Sequence, residues 1–391
     1  MRRQERFLAL ALTSRGPARP QGMRPLPRSV ATLAGLVAGS LLLGCASAPS
    51  GPDPIDPPPS PSAHWYFPPT VGSVWATARP SEAGFDSVAL TAALDWAGTQ
   101  QSRAVVVLWR GRLVAERYWN GWTTNTAGPW FSAGKTVTSA LVTHLAALGR
   151  LSLDAPVRHQ LGTGWSRAPL TEPAITIRHL LSMTSGLDDS LRFVSAPGSR
   201  FYYNNPAYYQ LFGVLERASG QTVPRLADSL LFSRIGMSRT TATPSTDTGQ
   251  PGFIFRGSAR DFARFGLLML HYGRWDGAMV LQDTASLAQA RRWSGSDNQS
   301  YGWLWWLNGG ASHRLPGPYG LPTGAGPLFP AAPADLVAAL GLDDKKLYLV
   351  PSRDLVIVRL GDRAPVSGSA SPAAVSSFDN RWWTQLTAAM R

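Results

Sequence analysis

The chain has 391 residues, 44% hydrophobic and 16% charged, so it can bury a sizeable core as one large domain or two. Its formal charge is +13, but residues 1–45 hold seven arginines and one glutamate and so carry +6 of that. The remaining +7 is scattered arginine with no basic run, which excludes a nucleic-acid-binding class.

From Met23 the chain reads MRPLPRSVATLAGLVAGSLLLGCASAPS. Two arginines precede an apolar run of about fifteen residues, the plan of a secretory signal and short of the roughly twenty that a membrane span needs. The run ends at Leu42-Leu43-Gly44-Cys45, which resembles a bacterial lipobox. Residues 1–45 are therefore expected to be a signal peptide with its lipidation site at Cys45, and residues 1–22 an upstream extension. An ordinary signal peptide with an incidental cysteine is the alternative. Cys45 is the single cysteine, so no internal disulfide forms. Residues 46–63 are rich in Pro, Ser and Gly, a tether that cannot pack. The expected location is the cell envelope, lipid-anchored. Ala46 after the cysteine points to the periplasmic face of the outer membrane in a Gram-negative source.

The globular domain is expected over residues 64–391. SVALTAALDWAG predicts a helix over 87–98, and AVVVLWRGRLVAERYW predicts a hairpin turning at Arg-Gly-Arg. A strong helix over 132–149 ends at Gly149. A mostly helical lobe follows over about 150–290. YGWLWWL predicts a strand over 301–307, and KLYLV and LVIVRL predict two more, flanking the turn Pro351-Ser352-Arg353-Asp354. An amphipathic helix closes the chain near 376–390. This order predicts an α+β fold: an antiparallel sheet flanked by helices, with an inserted helical lobe.

Residues 129–142, PWFSAGKTVTSALV, carry Ser132 and Lys135 at the start of a helix. The chain has only three lysines among its 37 basic residues, so a lysine here calls for chemistry that arginine lacks. A buried lysine can shed its proton; an arginine cannot. Positions i and i+3 share a helix face, which would set the amine beside the hydroxyl. A serine at a helix start also has an unpaired N–H and a favourable dipole. That suits an acyl-transfer nucleophile, with Lys135 as its base once burial has lowered its pKa. In FYYNNPAYYQLFG, Asn205 and Pro206 read as the cap and first residue of a second helix. Tyr203 and Asn205 would then project from the preceding loop, the tyrosine able to relay a proton.

With these motifs the sequence resembles the serine β-lactamase and penicillin-binding-protein superfamily. It is most similar to the branch of class C β-lactamases, family VIII esterases and 6-aminohexanoate-dimer hydrolases. Ser132 and Lys135 match its S-x-x-K pair, and Tyr203 and Asn205 its Y-x-N element. The stretches LSLDAPV, TIRHLLSMTSGL, PGSRFYYNN, GSARDFARFGLLML and YGWLWW fit the same branch. The resemblance implies a β-lactamase/transpeptidase-like fold and acylation of Ser132. It also implies shared acid and base work for Lys135 and Tyr203, and an orienting role for Asn205. The family's third element is Lys-Thr-Gly, His-x-Gly or a Gly-rich variant on a strand. The corresponding stretch here is AALGLDDKKLYLVPS, where Gly341 fills the small-residue place but no Lys or His precedes it. The usual handle for a substrate carboxylate is thus missing, which favours esters or uncharged amides.

The expected function is a serine hydrolase acting on a small ester or amide, with no metal or cofactor. The alternatives are a β-lactamase or D-alanyl-D-alanine peptidase, and a catalytically silent ligand-binding protein. Trp303, Trp305 and Trp306 are candidates for an apolar substrate wall, with Trp303 assigned to substrate binding. Lys345 and Lys346 read as surface charges. His179 reads as a structural helix residue, and Asp188 and Asp189 as residues at or near the rim. No G-x-S-x-G elbow occurs, and the six histidines show no metal spacing.

Overall fold

The computed structural model describes residues 65–246, 248–282, 284–295, 297–317, 323–367 and 377–391. Cys45, its apolar run and the tether lie outside the described residues. Among the described residues no helix is long and apolar enough to cross a membrane.

Helix α1 (Ser87–Thr99) begins at Asp86, whose Oδ1 accepts from the Val88 and Ala89 N–H groups at 3.0 and 2.9 Å. Those are two of the donors a helix start leaves open. Strands β1 (Ser102–Trp109) and β2 (Arg112–Tyr118) form the predicted hairpin. Arg110 and Gly111 make its turn with φ of 48° and 79°, the left-handed pair that matches strand twist. Gly111 is also needed for space, because a Cβ there would lie 1.7 Å from the Tyr66 carbonyl oxygen.

Strand β3 (Gly128–Pro129) leads into a 3-10 turn over Phe131–Gly134 and then helix α2 (Lys135–Ala147). The α-helix predicted from 132 thus starts at Lys135, and Ser132 sits in the tighter turn before it. Gly149, with φ of 68°, follows the helix end. The middle region holds α3 (Arg158–Leu161), α4 (Ile177–Leu181), α5 (Asn205–Ser219) and α6 (Val223–Ala227). It also holds β4 (Thr241–Ser245) and β5 (Gly252–Gly257), which join β3 in the order β3-β5-β4. These strands are absent from the mostly helical reading of this region because Gly252 and Gly257 in β5, and Pro244 on the edge strand β4, interrupt their alternation. Helix α7 (Ala259–Leu270), the short ribbon β6 (Arg274–Trp275) and β7 (Ala278–Met279), and helix α8 (Thr284–Ala290) follow.

The strand predicted over 301–307 is mostly absent. Only β8 (Trp306–Leu307) is strand. Gly302 N–H donates to the Trp305 carbonyl at 2.9 Å and Leu304 has φ of 64°, so the chain doubles back and Tyr301 bridges to Trp306. Trp303, Trp305 and Trp306 are all buried, and a run buried on every side carries no period that reveals a turn.

The ribbon β9 (Ser312–His313) and β10 (Gly324–Ala325) precedes β11 (Val337–Gly341), β12 (Lys345–Val350) and β13 (Leu355–Gly361). The main sheet runs β2-β1-β13-β12-β11-β8, with every pair antiparallel. Early and late segments therefore meet at its centre, where Val106 faces Val358 across β1 and β13. Helix α9 (Ser377–Ala389) packs with α1, Trp96 stacking on Phe378 at 5.4 Å. Strand alternation assigns the two sheet faces. Lys346 and Tyr348 of β12 reach Asp379 and Trp383 of α9. Leu347 and Leu349 lie against α7, at Gly266, where any Cβ would strike Leu347 Cδ1 at 2.7 Å. The fold is α+β, an antiparallel sheet covered by helices on both faces with a mostly helical insertion.

Lys345 and Lys346 are not surface charges. Both are buried; Lys346 Nζ lies 2.8 Å from Asp379 Oδ2 and 3.4 Å from Asp344 Oδ1. Tyr348 also donates to Asp379. The cluster fastens α9 to the sheet. Removing one member of a buried pair strands its partner, at about 3–5 kcal/mol. Asp379→Ala is expected to lower unfolding free energy by about that amount in urea titration. A change under about 1 kcal/mol would show that α9 is held by packing alone.

Candidate active site

The site is built on the turn before α2. In a 3-10 turn residues three apart eclipse each other. Ser132 and Lys135 are therefore stacked more directly than in an α-helix, and Lys135 Nζ lies 2.9 Å from Ser132 Oγ. Several contacts hold the turn. Trp130 N–H donates to the Phe255 carbonyl at 2.9 Å, and its fully buried indole stacks on Phe262 at 4.2 Å. Glycines close on Trp130 from two sides. A Cβ at Gly257 would come 2.5 Å from its ring, and a Cβ at Gly341 would come 2.3 Å from its carbonyl oxygen. Phe131, next to the serine, has φ of 48°, a strained value for a bulky residue.

Lys135 is 5% exposed, and burial alone pulls its pKa from 10.5 to about 7. Tyrosine rings exclude the water. The amine lies 4.5 Å from the Tyr208 ring centroid and 5.1 Å from that of Tyr203. Near neutrality the amine is thus available as a proton acceptor beside the hydroxyl. Burial raises the Tyr203 pKa to about 12, with the nearby Ser132 hydroxyl pulling weakly the other way. Tyr203 is a protonated phenol at neutral pH. Its ring stacks on Trp306 at 5.9 Å and meets Tyr301 edge to face.

Asn205 lines the same cavity as Ser132 and Lys135, a space of about 220 Å³. It is the first residue of α5; the cap is its neighbour Asn204. Asn204 Oδ1 accepts from the Ala207 N–H at 2.8 Å, and its Nδ2 donates to the carbonyls of Leu187 and Asp188. Capping thus falls to Asn204, and Asn205 is left to line the cavity.

Gly341 ends β11 against the serine turn, and Leu342 after it lines the cavity. Among the described residues no carbonyl accepts from the Ser132 or Leu342 N–H. Two donors thus border one cavity. Lys345 Nζ is drawn 3.6 Å from Asp343 Oδ2 and lies over the Phe131 ring at 4.9 Å. Trp303 is not among the residues lining this cavity; it is buried with Arg178 over its ring at 4.8 Å. His179 forms a capping box with Thr176. Asp188 accepts from Ser190 and Arg192 N–H groups, and Asp189 from the Tyr202 hydroxyl.

Sequence reasoning passed over Tyr208, which supplies the nearest ring to the amine and shares a 2.8 Å hydrogen bond with Thr138. Helical spacing could have found it, since it stands three residues after Asn205 on α5. Leu342, Ile254 and Phe255 reach the cavity from distant segments, and no local pattern marks them.

Residues 90–374 match the family model described as Beta-lactamase. Esterase EstB of Burkholderia gladioli is 33% identical over 141 residues, covering 27% of this chain and 36% of the esterase. The match thus spans about a third of that relative's length. Among solved structures, a protein assigned as a beta-lactamase from Bacteroides dorei superposes with a TM-score of 0.61 at 18% identity, covering 78% of this chain and 99% of that one. Another, assigned as a 6-aminohexanoate-dimer hydrolase from Bacillus anthracis, gives 0.58 at 19% identity, over 81% and 86% of the two chains. At such identities the structural likeness shows the fold.

The buried amine has a signature in stability. Unfolded, Lys135 holds its proton up to its ordinary pKa of 10.5; folded, it loses it at about 7. Across that window the unfolded chain binds more protons, so stability rises with pH. The cost is complete below the folded pKa, on the order of 4 kcal/mol, and gone above the unfolded one. Lys135→Met removes it. The variant is expected to be the more stable in urea at about pH 6, with the gap closing toward about pH 10. A gap that does not change with pH would mean the amine is not buried as the geometry requires.

Proposed function

The chain belongs to the beta-lactamase family, and from that membership we propose that it is a serine hydrolase cleaving esters or uncharged amides through an acyl-enzyme on Ser132. The observation that carries this is the 2.9 Å contact between the Ser132 hydroxyl and an amine whose pKa burial has drawn to about 7.

In this mechanism Lys135 takes the hydroxyl proton as Ser132 Oγ attacks the substrate carbonyl. General-base help of this kind contributes about 10²–10⁴-fold. The developing oxyanion is met by the Ser132 and Leu342 N–H groups, a term worth roughly 3–4 kcal/mol per donor in comparable sites. The tetrahedral intermediate collapses and the leaving group takes a proton from Tyr203; the proton that Lys135 took from Ser132 then restores the Tyr203 phenol. Tyr203 suits the donor role because its phenol stays protonated to about pH 12. Water then cleaves the acyl-enzyme with Lys135 again accepting the proton. Asn205, at the cavity wall, is placed to hold the substrate's carbonyl side.

Substrate charge supports esters over carboxylate-bearing lactams. Ala339 and Leu340 precede Gly341, and the nearby Lys345 is engaged with Asp343 and Phe131. Apart from Lys135 itself, no described residue lining the cavity is a cation.

Labelling with a fluorophosphonate and turnover of short p-nitrophenyl esters test the reading together. Ser132→Ala should abolish labelling and lower kcat by at least about 10³-fold. Lys135→Arg keeps the charge but cannot give up a proton, and should lower kcat about 10²–10⁴-fold. Wild-type kcat/KM should fall about tenfold per pH unit below pH 7. Turnover of nitrocefin exceeding that of the esters, or a well-folded wild type that takes no label, would refute the proposal.

A further inference from the structure

Tyr203 stands on the loop just before α5, so the position of its phenol depends on what holds that loop. Ring packing does part of this. Phe201 and Tyr203, two residues apart, both meet Tyr301 and Trp306. The backbone is fastened locally as well. Tyr202 N–H donates to the Met183 carbonyl at 2.8 Å, and the Asn204 side chain donates to those of Leu187 and Asp188.

One fastening comes from 96 residues further on. Phe201 N–H donates to Asp297 Oδ2 at 2.8 Å. The other carboxylate oxygen accepts from Arg314 Nη2 at 2.8 Å, and Arg314 Nε donates to the Asp297 carbonyl at 3.2 Å. Asn298 closes the frame: its Oδ1 accepts from the Arg314 N–H and its Nδ2 donates to the Arg314 carbonyl, both at 3.1 Å. Hydrogen bonds to ionised groups are roughly twice as strong as neutral ones. The Arg314 and Asp297 side chains are 15% and 26% exposed, so this pair is not of the freely solvated kind that contributes little. Four residues after Asp297, Tyr301 turns its ring edge to face Tyr203 at 6.1 Å. One short segment thus holds the Tyr203 loop by its backbone and by its ring. Asp297, Asn298 and Arg314 do not line the cavity at Ser132.

We propose that Asp297, locked by Arg314, is a positioning residue that fixes the loop carrying Tyr203 so that its phenol meets the leaving group. As the bond from carbonyl carbon to leaving oxygen breaks, that oxygen takes the phenol proton. The proton that Lys135 took from Ser132 restores the phenol. The proposal rests on the acyl-enzyme reading of Ser132, with Tyr203 as the acid. Its signature is dependence on the leaving group: an alkoxide needs that proton and p-nitrophenolate leaves without it.

Ethyl butyrate and p-nitrophenyl butyrate acylate Ser132 with the same group, and kcat/KM compares them in the full chain. Tyr203→Phe should lower kcat/KM about 10²-fold more for the ethyl ester than for the nitrophenyl ester. Asp297→Ala should show the same split, at least about tenfold, since a displacement near 1 Å has effects of that order. The double variant should match Tyr203→Phe on ethyl butyrate within about twofold, because both changes act through one group. Fluorophosphonate should still label Ser132 in each variant. Asp297→Asn keeps an oxygen for the Phe201 N–H and serves where the alanine variant does not fold; its split should reach at least about threefold. Equal losses on the two esters in the Asp297 variants, or losses that multiply in the double variant, overturn the proposal. A split in Tyr203→Phe alone removes Asp297 and leaves the acyl-enzyme reading standing. A well-folded wild type that takes no label overturns that reading instead.

Discussion

A lysine amine held out of water against a serine hydroxyl is the interaction around which this structure is arranged. Burial alone lowers its pKa, so every group that excludes solvent there sets the chemistry. The rings of Tyr203 and Tyr208 cover the amine, and Trp306 backs Tyr203. The distance is set by a 3-10 turn rather than by the helix that follows it. That turn is clamped by Trp130 between Gly257 and Gly341 and carries a left-handed Phe131. Strain next to Ser132 is tolerated because the surrounding packing over-determines it.

The chain's other buried lysine pair shows the contrast. Lys346 lies between Asp379 and Asp344 and joins the last helix to the sheet. Lys345 leans on Asp343. Each has a carboxylate partner, and Lys135 has a hydroxyl and aromatic faces instead. A buried amine with no carboxylate to repay its lost hydration gives up its proton more readily. One residue type thus serves as a fastener in one place and, without a carboxylate, has its pKa drawn down to about 7 in another.

The sheet explains why the site comes together at all. Strands from residues 102–118 and 337–361 pair at its centre; the chain leaves from the β2 edge and returns at the opposite edge through β8 and β11. The serine turn, the start of α5, strand β5 and Leu342 meet at one cavity. The pieces are spread along the chain from Phe131 to Leu342.

Much of this was legible in the order of residues. Local signals marked α1, the first hairpin, β12, β13 and α9, because their periodicity and turn chemistry are carried within a dozen residues. Ser132, Lys135, Tyr203 and Asn205 stood out by type and spacing, with lysine's rarity as the strongest hint. Other features were beyond local reading. The tryptophan run at 301–307 was taken for a strand because burial on all sides erases the period. Lys346 reads as exposed because its carboxylate partner Asp379 lies 33 residues beyond it, and Lys345 because nothing local shows that the fold buries it. The sequence by itself therefore determined which groups could do the chemistry and which elements would carry them. Only the tertiary structure decided which lysine is dry and unpaired, since desolvation and ion pairing depend on neighbours that folding brings from far along the chain.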